Sequence, residues 1–290
     1  MEWVILSLTS AFFLATSDAL VKKALKGQNE YLVAWFRMLF TLPVLVITLL
    51  LVPWPKLDAD FYRAFFIALP FELITIILYI KALKRSPLSL TMPFLALTPV
   101  FLIAVSFVVL GEKVSFMGGI GIFFIAAGSY LLNIDGLRKG LLEPFRMIWK
   151  ERGSLFMIGV ALLYSITSSM GKMAIEHSSP LFFAATYFIA LNIAFVPIAL
   201  YMGRGDLKTF LEEKQYKMLI VPGLCYALMV VTHMSAMKLT KVAYMISIKR
   251  TSLLMAVLYG YFLFREENVR SRFFGAALMF VGFVLVVTAR

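Results

Sequence analysis

The sequence predicts an all-α integral membrane protein whose ten transmembrane helices form two inverted five-helix repeats. Three observations lead there. Of 290 residues, 61% are apolar and only 15% are charged, where about a quarter charged is usual for a soluble domain. Apolar runs recur from end to end, each near the roughly 20 helical residues that about 30 Å of hydrocarbon requires. Inside a bilayer every backbone polar group must be bonded within its own segment, so such runs read as helices. Finally, the two halves of the chain match each other at a nearly constant offset, as internal repeats do.

In order, the spans are residues 3–21, 31–52, 61–80, 87–110, 114–134, 154–174, 180–202, 216–237, 242–264 and 273–289. The first follows Met1-Glu2-Trp3, with neither a basic segment nor a small-residue cleavage site, and is expected to persist as a helix rather than act as a removed signal. Residues 86–110 and 178–202 carry no charge at all, whereas Glu72 and His233 interrupt the third and eighth spans. Pro93 and Pro99 in the fourth span remove backbone donors, so that helix should kink, with Thr91 and Thr98 available to bond the freed carbonyls or a polar solute. The ninth span holds no proline. From this asymmetry one half is expected to supply charge and the other flexibility.

Five spans lie on each side of a polar segment at 135–153, which divides the chain into a first repeat, 1–134, and a second, 154–290. An offset of 150 places Lys22 on Lys172 and Ala34 on Ala184. An offset of 154 places Ala82 on Ala236, Lys84 on Lys238, Glu112 on Glu266, Gly121 on Gly275 and Gly128 on Gly282. An odd number of spans per half inverts the second half relative to the first, a common plan in secondary transporters, with the substrate near the midplane. The seven-residue spacing of the paired glycines reads as close helix packing.

These features resemble the drug/metabolite transporter superfamily, in particular its ten-helix members built of two EamA-type repeats. The resemblance rests on a Ser-containing first helix ending in Lys (Ser17 to Lys22, and again Ser168 to Lys172) and on Arg37 early in the second helix. It rests also on Ala82-Leu83-Lys84 before the fourth helix and on the Gly111-Glu112-Lys113 turn, echoed by Arg265-Glu266-Glu267. It covers the chain end to end. The sequence departs from the pattern at Thr16-Ser17-Asp18, where many members have a Trp-Gly-Ser type segment, and at Tyr187, where the repeat of Arg37 would fall. The resemblance implies a multi-pass protein of the cell membrane that carries small molecules.

The net charge of +12 reads first as topology. Roughly 18 Lys and Arg flank the spans on the side opposite the termini, against about six on the termini's own side. The count alone places both termini outside, whereas the family resemblance places them in the cytoplasm.

Ionisable residues deep in a span are a different population, because each costs about 2.5–3.5 kcal/mol at a helix centre when isolated. Lys249 and Arg250, adjacent cations some eight residues into the ninth span, cannot neutralise each other. Either intramembrane acids such as Glu72 and Asp18 compensate them, or they form the anion-binding floor of a central cavity. An Arg fork and a Lys point charge both suit carboxylate or phosphate. The plastid phosphate translocators, relatives by the same resemblance, also carry Lys-Arg in their ninth helix for the anionic group of their substrates.

Glu72 and Tyr79 share a helix face by their seven-residue spacing, as do Tyr226 and His233, and the two pairs occupy matching repeat positions. The substrate-binding set is therefore read as Lys249, Arg250, Tyr226, Glu72, Tyr79, His233, Thr98 and Lys172, with Glu72 and His233 as candidates for proton coupling. Asp18 and Lys22, four residues apart, read as a structural ion pair. Lys172 lacks that acid because Ser168 replaces it, Arg37 is placed to snorkel, and Asn192 needs a polar neighbour or a cavity.

A single cysteine, Cys225, precludes an intrachain disulfide or CxxC site. No GxxxxGK[ST] loop supports an ATP-driven pump. No HExxH, paired-acid metal site or Ser/His/Asp set supports an enzyme, and neither metal nor cofactor is expected. The function read from the sequence is a secondary carrier of a small polar metabolite bearing a carboxylate or phosphate, working by alternating access. Its rivals are a proton-coupled exporter of amino acids or amphiphilic drugs, and a channel or lipid flippase. Expected partners are the substrate, membrane lipids and at most a second copy of the chain, and no nucleic acid.

Overall fold

The computed structural model describes residues 1–25, 27–85, 92–132, 152–255, 258–259 and 269–289, and every regular element among them is helical. These are α1 (Glu2–Ala24), α2 (Glu30–Leu39), α3 (Leu42–Leu51), α4 (Ala59–Arg85), α5 (Thr98–Leu110), α6 (Phe116–Leu132), α7 (Arg152–Glu176), α8 (Pro180–Gly203), α9 (Leu207–Glu212), α10 (Ile220–Leu239), α11 (Val242–Lys249) and α12 (Val269–Thr288). Tight 3-10 turns occupy Met92–Leu97 and Gln215–Leu219. Six stretches are long and apolar enough to cross a membrane: Glu2–Ala24, Glu30–Leu51, Ala59–Tyr79, Gly153–Glu176, Pro180–Gly203 and Gln215–Leu239, and shorter apolar helices lie at Phe94–Leu110, Phe116–Leu131 and Phe274–Thr288. The chain is a multi-pass membrane protein. Thr91, most of the segment 135–153 and the turn at Arg265-Glu266-Glu267 lie outside the described residues.

Large apolar residues face outward, such as Ile5, Phe66, Val108, Phe123 and Phe280, as well as filling the interior, while buried serines and glycines sit at several helix contacts. Lipid offers no hydrophobic drive between helices, so close approach draws on such small residues and interhelical hydrogen bonds. α1 runs along α10, with Ser10 donating to the Met229 carbonyl at 3.3 Å and Ser17 to the Pro222 carbonyl at 2.8 Å. α4 runs along α7, and α6 along α12.

The glycine pairs meet in this last contact. A Cβ on Gly128 would lie 2.6 Å from the Gly275 carbonyl oxygen, and one on Gly282 would lie 2.6 Å from that of Gly121. Exchanging the two halves of the sequence by the 154-residue offset turns the first of these contacts into the second.

Interruptions in the spans have local causes. α2 ends at Leu39 and α3 starts at Leu42. Pro43 has no N–H for the Leu39 carbonyl, and its ring collides with it; Thr41 turns its hydroxyl to Met38 O at 2.6 Å. The second span, expected to be one helix, is thus two. In the fourth span Pro99 deprives the Leu95 carbonyl of its donor, and the Thr98 hydroxyl supplies one at 2.8 Å, in keeping with the expected kink.

The ninth span corrects the expected asymmetry, in which the proline-bearing half alone supplies the flexible element. α11 stops at Lys249. The chain then tightens into three-residue turns, with Thr251 N bonding Ile248 O at 3.0 Å and Leu253 N bonding Arg250 O at 3.0 Å. Both the fourth and the ninth spans are therefore discontinuous, near matching repeat positions, and only the first needs proline to be so.

Helix heads are capped by short polar side chains. Asn29 accepts from Tyr31 N at 3.0 Å, and Ser179 accepts from Phe182 N at 3.3 Å, ahead of Pro180. Asp58 accepts from Phe61 N at 2.9 Å and meets His177 Nδ1 at 2.6 Å, tying the start of α4 to the end of α7. The Phe61 amide, together with His177, holds the Asp58 carboxyl below the ordinary carboxylate range.

Candidate binding site

The break after α11 places Lys249 and Arg250 where helical hydrogen bonding gives out. Lys249 Nζ lies 3.2 Å from His233 Nδ1 on α10; with the amine as donor, the ring carries its proton on Nε2. Arg250 Nη2 donates to Thr98 Oγ1 at 2.8 Å. The two broken spans thus meet through their interruptions, and the Thr98 hydroxyl that repairs one also anchors the other. Lys249 and Arg250 remain half-buried although each sits deep in the bundle, as do Glu72, Tyr79, Tyr164 and Tyr226. These six side chains keep accessible surface and form a polar cluster inside the apolar bundle.

Among the described residues neither Lys249 nor Arg250 touches a carboxylate. Glu72, on α4, faces Thr167 and interacts electrostatically with Lys249 without meeting it. Arg250 interacts in the same way with the phenols of Tyr164 and Tyr79, and its Nε has no hydrogen-bond partner among the described residues.

Arg37 is a cation of another kind. Its Nη1 is 2.9 Å from Asp18 Oδ1, and its guanidinium carbon stands 4.1 Å over the Tyr226 ring, so ion pair and aromatic face together compensate it. Gly223 makes this possible: a Cβ there would lie 2.9 Å from the Arg37 carbonyl oxygen, so the last turn of α2 rests directly on α10. The expected snorkelling of Arg37 is therefore corrected. Its side chain is only 17% exposed and turns inward to an acid 19 residues away on α1.

α11 is held at both ends by the first half of the chain. At its head, Glu112 accepts from Val242 N at 2.9 Å, Lys241 donates to the Lys113 carbonyl at 2.6 Å, and the Tyr244 hydroxyl accepts from Ser115 N at 3.0 Å. A carboxylate suits the positive end of a helix; desolvation at this contact nevertheless pushes the Glu112 carboxyl above its usual range. At its foot, Arg250 reaches Thr98.

Of the eight residues expected to bind substrate, Lys249, Arg250, Tyr226, Glu72, Tyr79, His233 and Thr98 gather in this polar cluster, and Lys172 does not. Lys172 donates to the Met237 carbonyl at 2.5 Å and to the Thr240 carbonyl at 2.9 Å, with Glu176 at 3.5 Å. It caps the end of α10. Its acid is one turn later in the helix, not one turn earlier, where Ser168 had suggested that none existed.

Sequence reasoning missed three contributors. Tyr164 and Thr167 carried no signal beyond lying on α7. Tyr187, by contrast, had one: it stands 150 residues after Arg37, and as Arg37 covers Tyr226, Tyr187 lies near Glu72, the repeat counterpart of Tyr226. Asn192 is buried, and its amide nitrogen has no partner among the described residues.

Comparison with known proteins agrees with this architecture. The model of the EamA-like transporter family matches residues 1–134 and 151–288. A solved structure described only as "Crystal structure of protein" is similar over 98% of this chain and 95% of its own, with a TM-score of 0.75 at 13% identity, a likeness of fold. No curated protein matches the sequence.

Proposed function

Starting from a chain that belongs to the EamA-like transporter family, and is thus a membrane transporter of the drug/metabolite type, we propose that it is a secondary carrier of a small polar metabolite bearing a carboxylate or phosphate. The observation that carries this is the Lys249-Arg250 pair, two adjacent cations at a helix break, half-buried and in contact with no carboxylate among the described residues. Burying a charge is costly unless it is paired. A bound anion supplies the pair, and the Arg fork and Lys ammonium fit two or three of its oxygens.

The carrier works by alternating access between two inverted five-helix repeats. In support, α1 lies on α10 and α4 on α7, which are the first-with-eighth and third-with-sixth spans. Each contact becomes the other when the repeats are exchanged, as the Gly121–Gly282 and Gly128–Gly275 contacts do. Discontinuous helices at the midplane of such repeats form the substrate sites of many carriers. In this reading Lys249 and Arg250 anchor the anion, His233 and Thr98 position them, and Tyr79 and Tyr226 flank the substrate.

Counterflow in proteoliposomes of the purified chain tests the proposal, with radiolabelled inorganic phosphate, glycerol 3-phosphate and lactate as probes. Saturable uptake stimulated by the same anion on the other side is the expected result. Flux linear in concentration and indifferent to the trans solute would overturn the carrier in favour of a channel. Saturable transport only of uncharged or cationic compounds would overturn the anion.

A further inference from the structure

The polar cluster around Lys249 and Arg250 has a second pole. Glu72 sits on α4 with Thr167 against its carboxyl, and it interacts electrostatically with Lys249 without a salt bridge between them. Opposite charges in a low-dielectric interior attract strongly; with no salt bridge between them among the described residues, Glu72 and the Lys249-Arg250 pair form two separate poles of opposite charge.

Tyr187 closes the same end. Its ring is clamped between Phe183, stacked at 5.0 Å, and Phe65, edge-on at 5.4 Å, and is 5% exposed. Packing on both faces gives the hydroxyl no freedom to seek water elsewhere. The hydroxyl is buried with no hydrogen-bond partner among the described residues, and it lies within electrostatic range of Glu72 and Tyr226. Buried phenols nearly always find a partner, so a hydroxyl held rigidly without one, within electrostatic range of Glu72, is placed for a partner that comes and goes.

We infer that the substrate is two-ended: away from its anionic group it carries a hydrogen-bond donor, an ammonium or a hydroxyl, that is received by Glu72 and Tyr187. The inference rests on the proposal that Lys249 and Arg250 take the anionic end. The donor satisfies the Glu72 carboxylate, and Tyr187 orients it. Tyr187 is then a specificity-determining residue, since a substrate without the donor gains nothing from it, while a site built for a polar group discriminates strongly against analogues that lack one.

Ligand-induced thermal stabilisation of the purified full chain tests this with two matched series: propionate, lactate and alanine, and propyl phosphate, glycerol 3-phosphate and phosphoethanolamine. Within at least one series the donor-bearing members are expected to stabilise the protein at concentrations about tenfold lower than the member without a donor, the yield of one good hydrogen bond. An advantage for alanine and phosphoethanolamine alone assigns an ammonium, and one for lactate and glycerol 3-phosphate assigns a hydroxyl. Glu72→Gln should erase the advantage. Tyr187→Phe, which removes only a partnerless hydroxyl and so keeps the fold, should shrink it severalfold. Equal response to all members of both series, or an advantage that survives both variants, would overturn the two-ended substrate and leave the anion site standing. Failure of every anion to stabilise the protein would overturn both.

Discussion

Arg37 and Arg250 look alike in the sequence, each a lone guanidinium in an apolar span, and the structure treats them in opposite ways. Arg37 is neutralised twice, by Asp18 at 2.9 Å and by the face of Tyr226. Arg250 receives one neutral hydroxyl, from Thr98, and has a cationic neighbour. Each leaves its Nε without a hydrogen-bond partner among the described residues, but only Arg37 has a counter-charge from the protein there. A membrane interior makes this difference informative, because an uncompensated charge there is costly and persists where function requires it.

The largest effect expected from this contrast is on transport. Lys249→Gln and Arg250→Gln should each lower counterflow by about 10–100-fold, the loss of a charge-assisted bond of roughly 1.5–3 kcal/mol, while the protein elutes as a monodisperse peak. Arg250→Lys should fall between, since it keeps the charge and loses the fork. If both Gln variants transport normally, the pair serves only the fold.

Stability should move the other way. Arg37→Gln leaves Asp18 without its partner and should cost about 1–2 kcal/mol in detergent unfolding, less than a fully buried pair because the Asp18 side chain is 44% exposed. Arg250→Gln removes a charge with no carboxylate beside it and should leave Tm unchanged or higher. Equal destabilisation by the two variants would erase the distinction between them.

Lys172→Met should cost about 1 kcal/mol by exposing the last carbonyls of α10, and should retain saturable counterflow with an unchanged KM. A raised KM would return Lys172 to the binding site.

The smallest effect concerns pH. The Asp58 carboxyl titrates below its unfolded value, so its contribution is fully present above the unfolded value and is lost as pH falls through the folded one. Asp58→Ala should therefore flatten the acid-side decline of Tm slightly, read by thermal scans across the carboxylate range. Tm curves that coincide at every pH would show the contact with His177 and Phe61 to be idle.

Much of this was legible in the residues. Apolar length and the repeat offset locate the helices, because the hydrocarbon thickness and backbone satisfaction leave few alternatives. Pro43 and Pro99 mark two of the three interruptions. The paired glycines, spaced seven apart in each half, announce the α6–α12 contact. What resisted was partner choice. Lys172 takes carbonyls 65 and 68 residues away, and no spacing rule reaches so far. Asp18 lies four residues from Lys22, but nothing in that spacing announces that its carboxylate also meets Arg37 on α2. The interruption at Lys249 had no proline to betray it, and the contacts that hold α11, from Glu112 at its head and Thr98 at its foot, come from the other half of the chain.

The sequence by itself determined that this chain fills a membrane with apolar helices in two related halves, and that a few charges remain inside. It did so because lipid imposes one solution on the backbone and a high cost on every buried charge. Which of those charges are spent on one another, and which are left for a ligand, was decided only by the tertiary structure. Compensation depends on distances of a few ångströms between residues from different helices, and those are set by how closely glycines and serines let the helices approach.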